Sequence, residues 1–227
     1  MYLTTTEIKD LLGISDCHLM HERVKGNLEF VKKGSRFLYK VDDITLVKKH
    51  DLAKRVINWY EKKHDFELSN FPETSLSVEA IATLLKCILI PIEKELGTIF
   101  ITYGFVSGKL NTFIQKNNPV GTSPSIDQHS SHEHNAKHKV ICKRGGVASD
   151  FYVTGYEKNM DRVVDFIVNN LEFDRIYYYG KDRPIHVSVS HEMHRHLQLM
   201  SLTKDGKRIP SRKAYGDEAI KLIKDLL

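Results

Sequence analysis

One stretch constrains the fold of this chain more than any other. It is the run Gly145-Gly146-Val147-Ala148-Ser149-Asp150, which leads directly into Phe151-Tyr152-Val153. Paired glycines favour a tight turn, and β-branched and aromatic residues favour a strand. The pattern therefore predicts a turn that delivers the carboxylate of Asp150 to the mouth of a strand. Two imidazoles accompany it, because His129 lies in a polar stretch upstream and His186 interrupts an alternating apolar strand pattern downstream.

One carboxylate and two imidazoles from three separate elements are the ligand set of an open tetrahedral zinc site. We therefore expect His129, Asp150 and His186 to bind Zn²⁺ at roughly 2.0–2.2 Å, with the fourth position left open. A lone histidine on an apolar strand can instead be a core residue. Two groups of histidines leave further alternatives open. His132, His134 and His138 could replace His129 as the first ligand or could lie in a solvated loop, and His191, His194 and His196 could be surface residues.

At these residues the chain resembles the D-alanyl-D-alanine peptidase family, which shares its zinc fold with the hedgehog signalling domain. Gln128-His129 matches the family's first metal histidine, Gly146-x-Ala148-x-Asp150 matches its Gly-x-Ala-x-Asp, and Ile185-His186-Val187-Ser188 matches its last strand. Weaker matches occur in the same order over roughly residues 84–190: 91–97, 99–102, 103–111 and 173–176. The resemblance implies an antiparallel sheet with helices, a zinc ion at the three ligands and metal-assisted hydrolysis.

Two departures from the family pattern bear on peptidase chemistry. Val106 stands where the family has the arginine that binds a substrate carboxylate. The family's catalytic glutamate falls near Tyr179 in one alignment and near Asp182 or Arg183 in another. A hydrolase needs a proton-transfer group close to the metal, and the catalytic candidates are Asp182, Tyr179 and Glu133. The resemblance therefore supports the metal site better than it supports peptidase activity.

The first 44 residues carry a helix-turn-helix pattern followed by a two-stranded wing at residues 28–40. The pattern resembles the winged helix-turn-helix of excisionases and MerR-type regulators, which implies binding to double-stranded DNA. A helix end in the major groove needs polar or basic tips, and a wing needs cations for the phosphates. The residues that fit these roles lie on the second helix and the wing: His18, His21, Arg23, Lys25, Lys32, Lys33, Arg36 and Lys40. A protein-interaction module is the alternative.

The remaining pattern sets the domain organisation and an α+β fold class. Apolar residues at helical spacing predict one long amphipathic helix over residues 42–66, through which we expect a homodimer. Residues 67–75 are predicted to be a linker. We therefore expect a winged helix-turn-helix with its long helix over 1–66, and a peptidase/hedgehog-like zinc domain, an antiparallel sheet with helices, over 76–227. The polar stretch 117–146 predicts a long loop within that domain.

Composition bears on the class of protein and on its cellular location. The chain of 227 residues is 41% apolar and 28% charged, which is typical of soluble globular proteins. The longest apolar run, Cys87–Ile92, is too short to span a bilayer, and no secretory signal is visible. Three scattered cysteines suit a reducing compartment. We therefore expect a cytoplasmic protein without a membrane partner.

These patterns favour an intracellular DNA-binding protein of a phage or mobile element. Its zinc domain would be a repurposed metal-dependent hydrolase. Two alternatives stay open. The chain can be a phage-type peptidoglycan peptidase, or lysin, in which the N-terminal region targets the cell wall. It can also be a non-catalytic DNA-binding regulator in which the zinc domain is structural.

Overall fold

The computed structural model describes residues 1–117 and 128–227. These residues form a mixed α+β structure with one three-stranded and one six-stranded sheet. This confirms the predicted α+β class. Of the predicted loop 117–146, residues 118–127 lie outside the described part of the chain.

The N-terminal elements follow the predicted order. They are β1 (Tyr2–Thr4), α1 (Thr5–Leu12), α2 (Asp16–Val24), β2 (Phe30–Lys33) and β3 (Arg36–Lys40). Thr4 and Glu7 form a reciprocal capping box at the start of α1, and Gly13 ends that helix with a φ of 66°. The strands pair antiparallel in the order β1-β3-β2, so β1 adds a strand that the sequence pattern did not predict.

The predicted single helix over residues 42–66 is wrong. The structure has α3 (Asp43–Lys49), α4 (Asp51–Asn58) and a 3₁₀ turn at Trp59–Lys62. His50 separates α3 from α4 with an extended backbone, and its Nδ1 accepts a hydrogen bond of 3.2 Å from the Leu52 N–H. The break lets the two short helices bury their apolar faces from different directions in one core.

Most of the apolar residues that suggested a dimer helix are buried within the chain itself, whereas Ile44 is 40% exposed. Val47, Leu52, Val56 and Trp59 are all in its interior, and the Trp59 indole donates a hydrogen bond of 2.7 Å to the Phe105 carbonyl. The homodimer therefore stays a prediction without an exposed apolar helix face to support it.

The predicted linker 67–75 is a packed connection. The buried Asn70 side chain donates to the carbonyls of Ile57 and Phe105, and it accepts from the Ser107 N–H at 2.7 Å. One hydrophobic cluster runs from Leu3 near the N-terminus to Ile223 near the C-terminus. The regions predicted as separate domains therefore share a core.

The C-terminal region is built around the six-stranded sheet. Its elements are α5 (Ser75–Leu84), a π-helical turn (Leu85–Leu89), α6 (Ile90–Glu95), β4 (Ile99–Tyr103), α7 (Gly108–Asn117), β5 (Val147–Val153), α8 (Met160–Asn170), β6 (Arg175–Tyr178), β7 (Ile185–Val189), β8 (His196–Leu202), β9 (Arg208–Tyr215) and α9 (Asp217–Lys224). The strand order is β4-β5-β7-β6-β8-β9. The expected antiparallel pairing holds except between β6 and β8, which run parallel.

One helical run in the described part of the chain, Ser75–Glu95, is long and apolar enough to cross a membrane by length and composition. Within the chain, 56% of its most apolar window is buried. A core helix of a soluble protein has the same properties.

The two faces of the six-stranded sheet differ in chemistry. Successive strand residues point to opposite faces, and on one face the buried side chains are apolar, including Phe151, Ile176, Val187 and Leu197. Helices α5 and α8 contact the sheet. The opposite face carries the polar residues, beginning with Asp150, and it is where the candidate site lies.

Candidate metal centre

Asp150 and His186 are direct partners across two neighbouring strands. They face each other in the antiparallel register of β5 and β7, and side chains of paired residues lie on the same face of a sheet. Tyr103 on β4 and Tyr177 on β6 extend this row to either side. The strand pairing therefore brings a carboxylate and an imidazole together from positions that are distant in sequence.

His129 arrives from outside the sheet, on a 3₁₀ turn formed by Gln128–Ser130. The Val106 N–H donates to the His129 carbonyl at 3.0 Å. The Nδ1 atom of His129 lies 3.0 Å from the Gly104 carbonyl oxygen, which directs Nε2 toward Asp150. A backbone carbonyl on the second ring nitrogen commonly orients histidines that bind metals.

The three side chains have a geometry that could hold a metal ion. The Asp150 Oδ1 atom lies 3.3 Å from His129 Nε2 and 2.7 Å from His186 Nδ1. One ligand atom from each residue lies within 4.8 Å of the others. Tetrahedral ligands at zinc bond lengths are about 3.3 Å apart. Both imidazoles are buried, whereas the Asp150 side chain is 26% exposed, so the group is open on one side.

The electrostatics favour a charged carboxylate. Burial opposes ionisation of Asp150, but the adjacent His129 and His186, through charge and hydrogen bonding, outweigh it and hold the pKa of Asp150 well below its usual range. Metal ligands must be deprotonated to bind. Asp150 is therefore in the protonation state that a metal ion requires.

Tyrosines surround the ligand group. The Tyr103 ring lies 4.6 Å from that of His129, and the Tyr177 ring lies 4.9 Å from that of His186. Burial, and then the charge of Asp150, raise the pKa of Tyr179 to about 12. Tyr179 therefore keeps its proton near neutral pH, and the charge of Asp150 acts on it.

The other residues predicted to be catalytic have different placements. Glu133 is fully buried, and its Oε1 accepts hydrogen bonds from the N–H groups of Glu73 and Thr74 at the start of α5. Asp182 is exposed in the turn between β6 and β7, where its backbone carbonyl accepts a hydrogen bond from Tyr152. Val106 lies in a small apolar core beside Trp59. Of the three candidates, Tyr179 is the one with an electrostatic link to Asp150.

The competing histidines have other roles. The Nε2 atom of His132 accepts a hydrogen bond of 3.2 Å from the Gly146 N–H and so holds the glycine turn. His134 pairs with Val140 through an isolated β-bridge, and His138 is exposed with a φ of 56°. Among the described residues, the one candidate metal group is formed by His129, Asp150 and His186.

The second group of histidines lies beyond the ligand strand. The Nδ1 atom of His194 lies 2.6 Å from Oδ1 of the buried Asp174, and His196 is buried and stacks on Tyr215. His191 is exposed. Asp174 also accepts a hydrogen bond from Gln128, next to His129. The sequence did not predict the contact between Asp174 and Gln128, because nothing in the pattern around Asp174 marks it as a partner of the upstream turn.

The residues predicted to bind DNA lie on α2 and the wing, and all are exposed except Arg23: His18, His21, Lys25, Lys32, Lys33, Arg36 and Lys40. The Arg23 guanidinium lies 3.9 Å from the centre of the Phe37 ring, and its Nη1 donates to the Tyr39 hydroxyl at 3.1 Å. Arg23 therefore packs inside the N-terminal unit. Lys40 forms an exposed ion pair with Glu29.

Comparison with known proteins does not assign the site to a class. No family model, no curated protein and no solved structure matches the chain. The candidate metal centre therefore stands on its geometry, and the function drawn from it is a proposal.

Proposed function

We propose that this chain is a DNA-binding protein whose C-terminal region binds zinc in a domain related to D-alanyl-D-alanine peptidases and the hedgehog signalling domain. The observation that carries the proposal is the convergence of His129, Asp150 and His186 within 4.8 Å on one face of the sheet. The mixed nitrogen and oxygen ligand set, open on one side, suits zinc better than metals that prefer oxygen or sulfur ligands.

When bound, zinc supplies a Lewis acid that polarises a carbonyl or phosphoryl oxygen. The chain's own residues would prepare the site for it. Asp150 is kept ionised between the two imidazoles, and the Gly104 carbonyl orients the His129 ring. Tyr179 holds a proton nearby. This arrangement suits metal-assisted hydrolysis in which the neutral hydroxyl of Tyr179, in place of a carboxyl group, would donate a proton or a hydrogen bond to the reacting group.

The N-terminal unit would contribute the binding to double-stranded DNA. Its two helices and strand pair resemble a winged helix-turn-helix in order, and exposed cations lie on β2 and β3. Cations on a wing make phosphate contacts, whereas short polar side chains at the end of a helix read base edges. Of the predicted contacts, Arg23 is withdrawn because it packs against Phe37.

The metal assignment is tested by metal content. Wild-type protein purified in the presence of zinc should hold about one zinc per chain. His129→Ala, Asp150→Ala and His186→Ala should each lose it. The exposed His191→Ala is the matched control and should retain zinc. Undiminished zinc in His186→Ala would overturn the assignment.

A second candidate function is a DNA-binding regulator in which the zinc domain is structural. The placement of Glu133 favours it, because this carboxylate is bound to the start of α5. Zinc-replete protein that hydrolyses no peptide or phosphoester substrate, yet loses thermal stability when zinc is removed, would support this candidate. Hydrolysis of peptidoglycan fragments would instead support the lysin hypothesis.

A further inference from the structure

The polar face of the six-stranded sheet carries a series of tyrosines, each beside a cation. Arg144 Nη1 donates to the Tyr177 hydroxyl at 3.4 Å. The Arg208 guanidinium lies 4.9 Å from the centre of the Tyr179 ring. Lys213 Nζ lies 5.9 Å from the centre of the Tyr215 ring. We call these six residues the tyrosine–cation face.

Strand register places Tyr177, Lys213 and Tyr215 on the same face as the candidate metal group. The row that begins with Asp150 and His186 continues through Tyr177 and Gln198 to Lys213. A parallel row ends at Tyr215, which pairs with His196. Because paired side chains share a face, the tyrosines and cations extend the surface of the metal group toward the edge strand β9.

The outer end of this face is open. Tyr215 is 49% exposed, and Lys213 on the same edge strand is exposed as well; Arg144, beside Tyr177, is also exposed. Arg144, Arg208 and Lys213 supply positive charge along this face. A ligand with negative charge and flat apolar groups matches this combination.

The Tyr215 ring is held in position from below. His196 stacks on it at 4.5 Å with the ring planes 13° apart. The Nδ1 atom of His196 lies 3.1 Å from Arg175 Nη1, which makes this nitrogen the acceptor. Burial, followed by the charges of Arg175 and Lys213, lowers the pKa of His196 to about 4, so the ring is neutral. The stack fixes the orientation of the Tyr215 ring, which stays 49% exposed at the edge strand.

We propose that the tyrosine–cation face binds single-stranded nucleic acid. Bases of a single strand stack on exposed aromatic side chains while Arg and Lys contact the phosphates. A duplex keeps its bases stacked inside, so it cannot use the tyrosines in this way. The proposal does not depend on zinc or on the N-terminal unit, and it adds a second nucleic-acid surface to the chain.

The test uses the full chain and a fluorescent single-stranded DNA oligonucleotide of mixed sequence. Tyr215→Ala should weaken binding at least about five-fold, and Tyr215→Phe should retain it, because base stacking needs the ring and not the hydroxyl. Arg144→Ala and Lys213→Ala should each flatten the plot of log affinity against log salt by about 0.7 per lost phosphate contact. Lys224→Ala on helix α9 removes an equal charge elsewhere and should change neither quantity.

Two further measurements distinguish this surface from the wing and from a general polyanion site. A chain with Lys32→Ala, Lys33→Ala and Arg36→Ala should still bind the single strand, because those residues belong to the wing. Loss of single-strand binding in that variant would overturn the proposal, as would unchanged affinity in Tyr215→Ala. A poly-glutamate peptide of equal charge should displace the oligonucleotide poorly. Equal displacement would indicate a general polyanion surface and would also overturn it.

Discussion

Two residues outside the ligand group determine where His129 lies. The Gly104 carbonyl is 3.0 Å from its Nδ1, and Asp174 Oδ2 accepts a hydrogen bond of 3.2 Å from the neighbouring Gln128. A partner bonded directly to a ligand histidine, as the Gly104 carbonyl is, fixes the ring orientation, and its loss typically weakens metal binding about 10–100-fold; Asp174 acts one residue away, through Gln128. Neither residue belongs to the ligand pattern, so their importance follows from three-dimensional contacts alone.

Substituting Gly104 should disturb both the fold and the metal group. A Cβ at this position would lie 2.1 Å from the Val56 carbonyl oxygen and 2.8 Å from Trp59, so the backbone must move. We expect Gly104→Ala to lower the free energy of unfolding by about 1–3 kcal/mol and to weaken zinc binding. Urea denaturation and chelator competition measure the two effects. Gly155→Ala, which meets open space at a φ of 87°, should lower stability alone.

Asp174 should give the protein an acid-sensitive contribution to stability. Burial opposes its ionisation, but hydrogen bonds from His194 and Gln128 outweigh burial and lower the pKa of Asp174. A carboxyl with a lowered folded pKa stabilises the protein above its unfolded pKa of about 3.9, and this is lost as pH falls through the folded pKa. The difference in unfolding free energy between wild type and Asp174→Asn should therefore be largest near pH 6 and should shrink below pH 4. A pH-independent difference would contradict this role.

The residues near the metal group also predict weak D-alanyl-D-alanine carboxypeptidase activity. Val106, which the resemblance aligns with the family's arginine, is buried, and the resemblance aligns the family's glutamate with Tyr179 or, alternatively, with Asp182 or Arg183. General acid–base catalysis is typically worth about 10²–10⁴-fold, so we expect zinc-replete protein to hydrolyse the dipeptide slower than an authentic family member by roughly that factor. Comparable rates would make the lysin hypothesis the leading one.

Elements with a strong local pattern could be predicted from the sequence, and elements decided by tertiary contacts could not. The glycine turn and β5 carry their own signal, and so does the alternating strand β7. The break at His50 depends on where α3 and α4 find a common core. Strands β8 and β9 were missed as a pair because β9 is an exposed edge strand whose residues are largely polar and basic.

The same distinction applies to the site. The candidate ligands His129, Asp150 and His186 could be proposed from the ordered matches to a resembling family, and their proximity in the structure confirms that they form one group that could hold a metal. The engagement of Glu133 with α5 could not be foreseen, because it joins residues about sixty positions apart. Long-range polar contacts leave no periodic signal in a sequence.

At the scale of the wing, β2 and β3 should contribute phosphate contacts without base specificity. Replacing Lys32, Lys33 and Arg36 with alanine should flatten the salt dependence of double-stranded DNA binding by about 0.9 per lost phosphate contact. Arg23→Ala should instead reduce stability, since its guanidinium packs on Phe37. Fluorescence anisotropy at several salt concentrations measures the first effect. An unchanged slope would favour a protein-interaction module.

At the scale of the whole molecule, the continuous core predicts cooperative unfolding. One hydrophobic cluster contains Ile8 from α1, Val56 from α4 and Val187 from β7. We therefore expect a single urea transition by both Trp59 fluorescence and far-ultraviolet circular dichroism. Two separated transitions would show that the regions 1–66 and 76–227 fold independently.

The position of Gly104 has a consequence for communication across the chain. Its carbonyl orients His129, while its Cα packs against the last turns of α4, so one peptide unit serves both the metal group and the N-terminal region. If the position of α4 alters the affinity of this group for an ion, thermodynamic reciprocity requires that the bound ion bias the position of α4 by the same free energy. Binding of an ion at the metal group would then change the affinity of the N-terminal surface for its ligand, and binding at that surface would change the affinity for the ion.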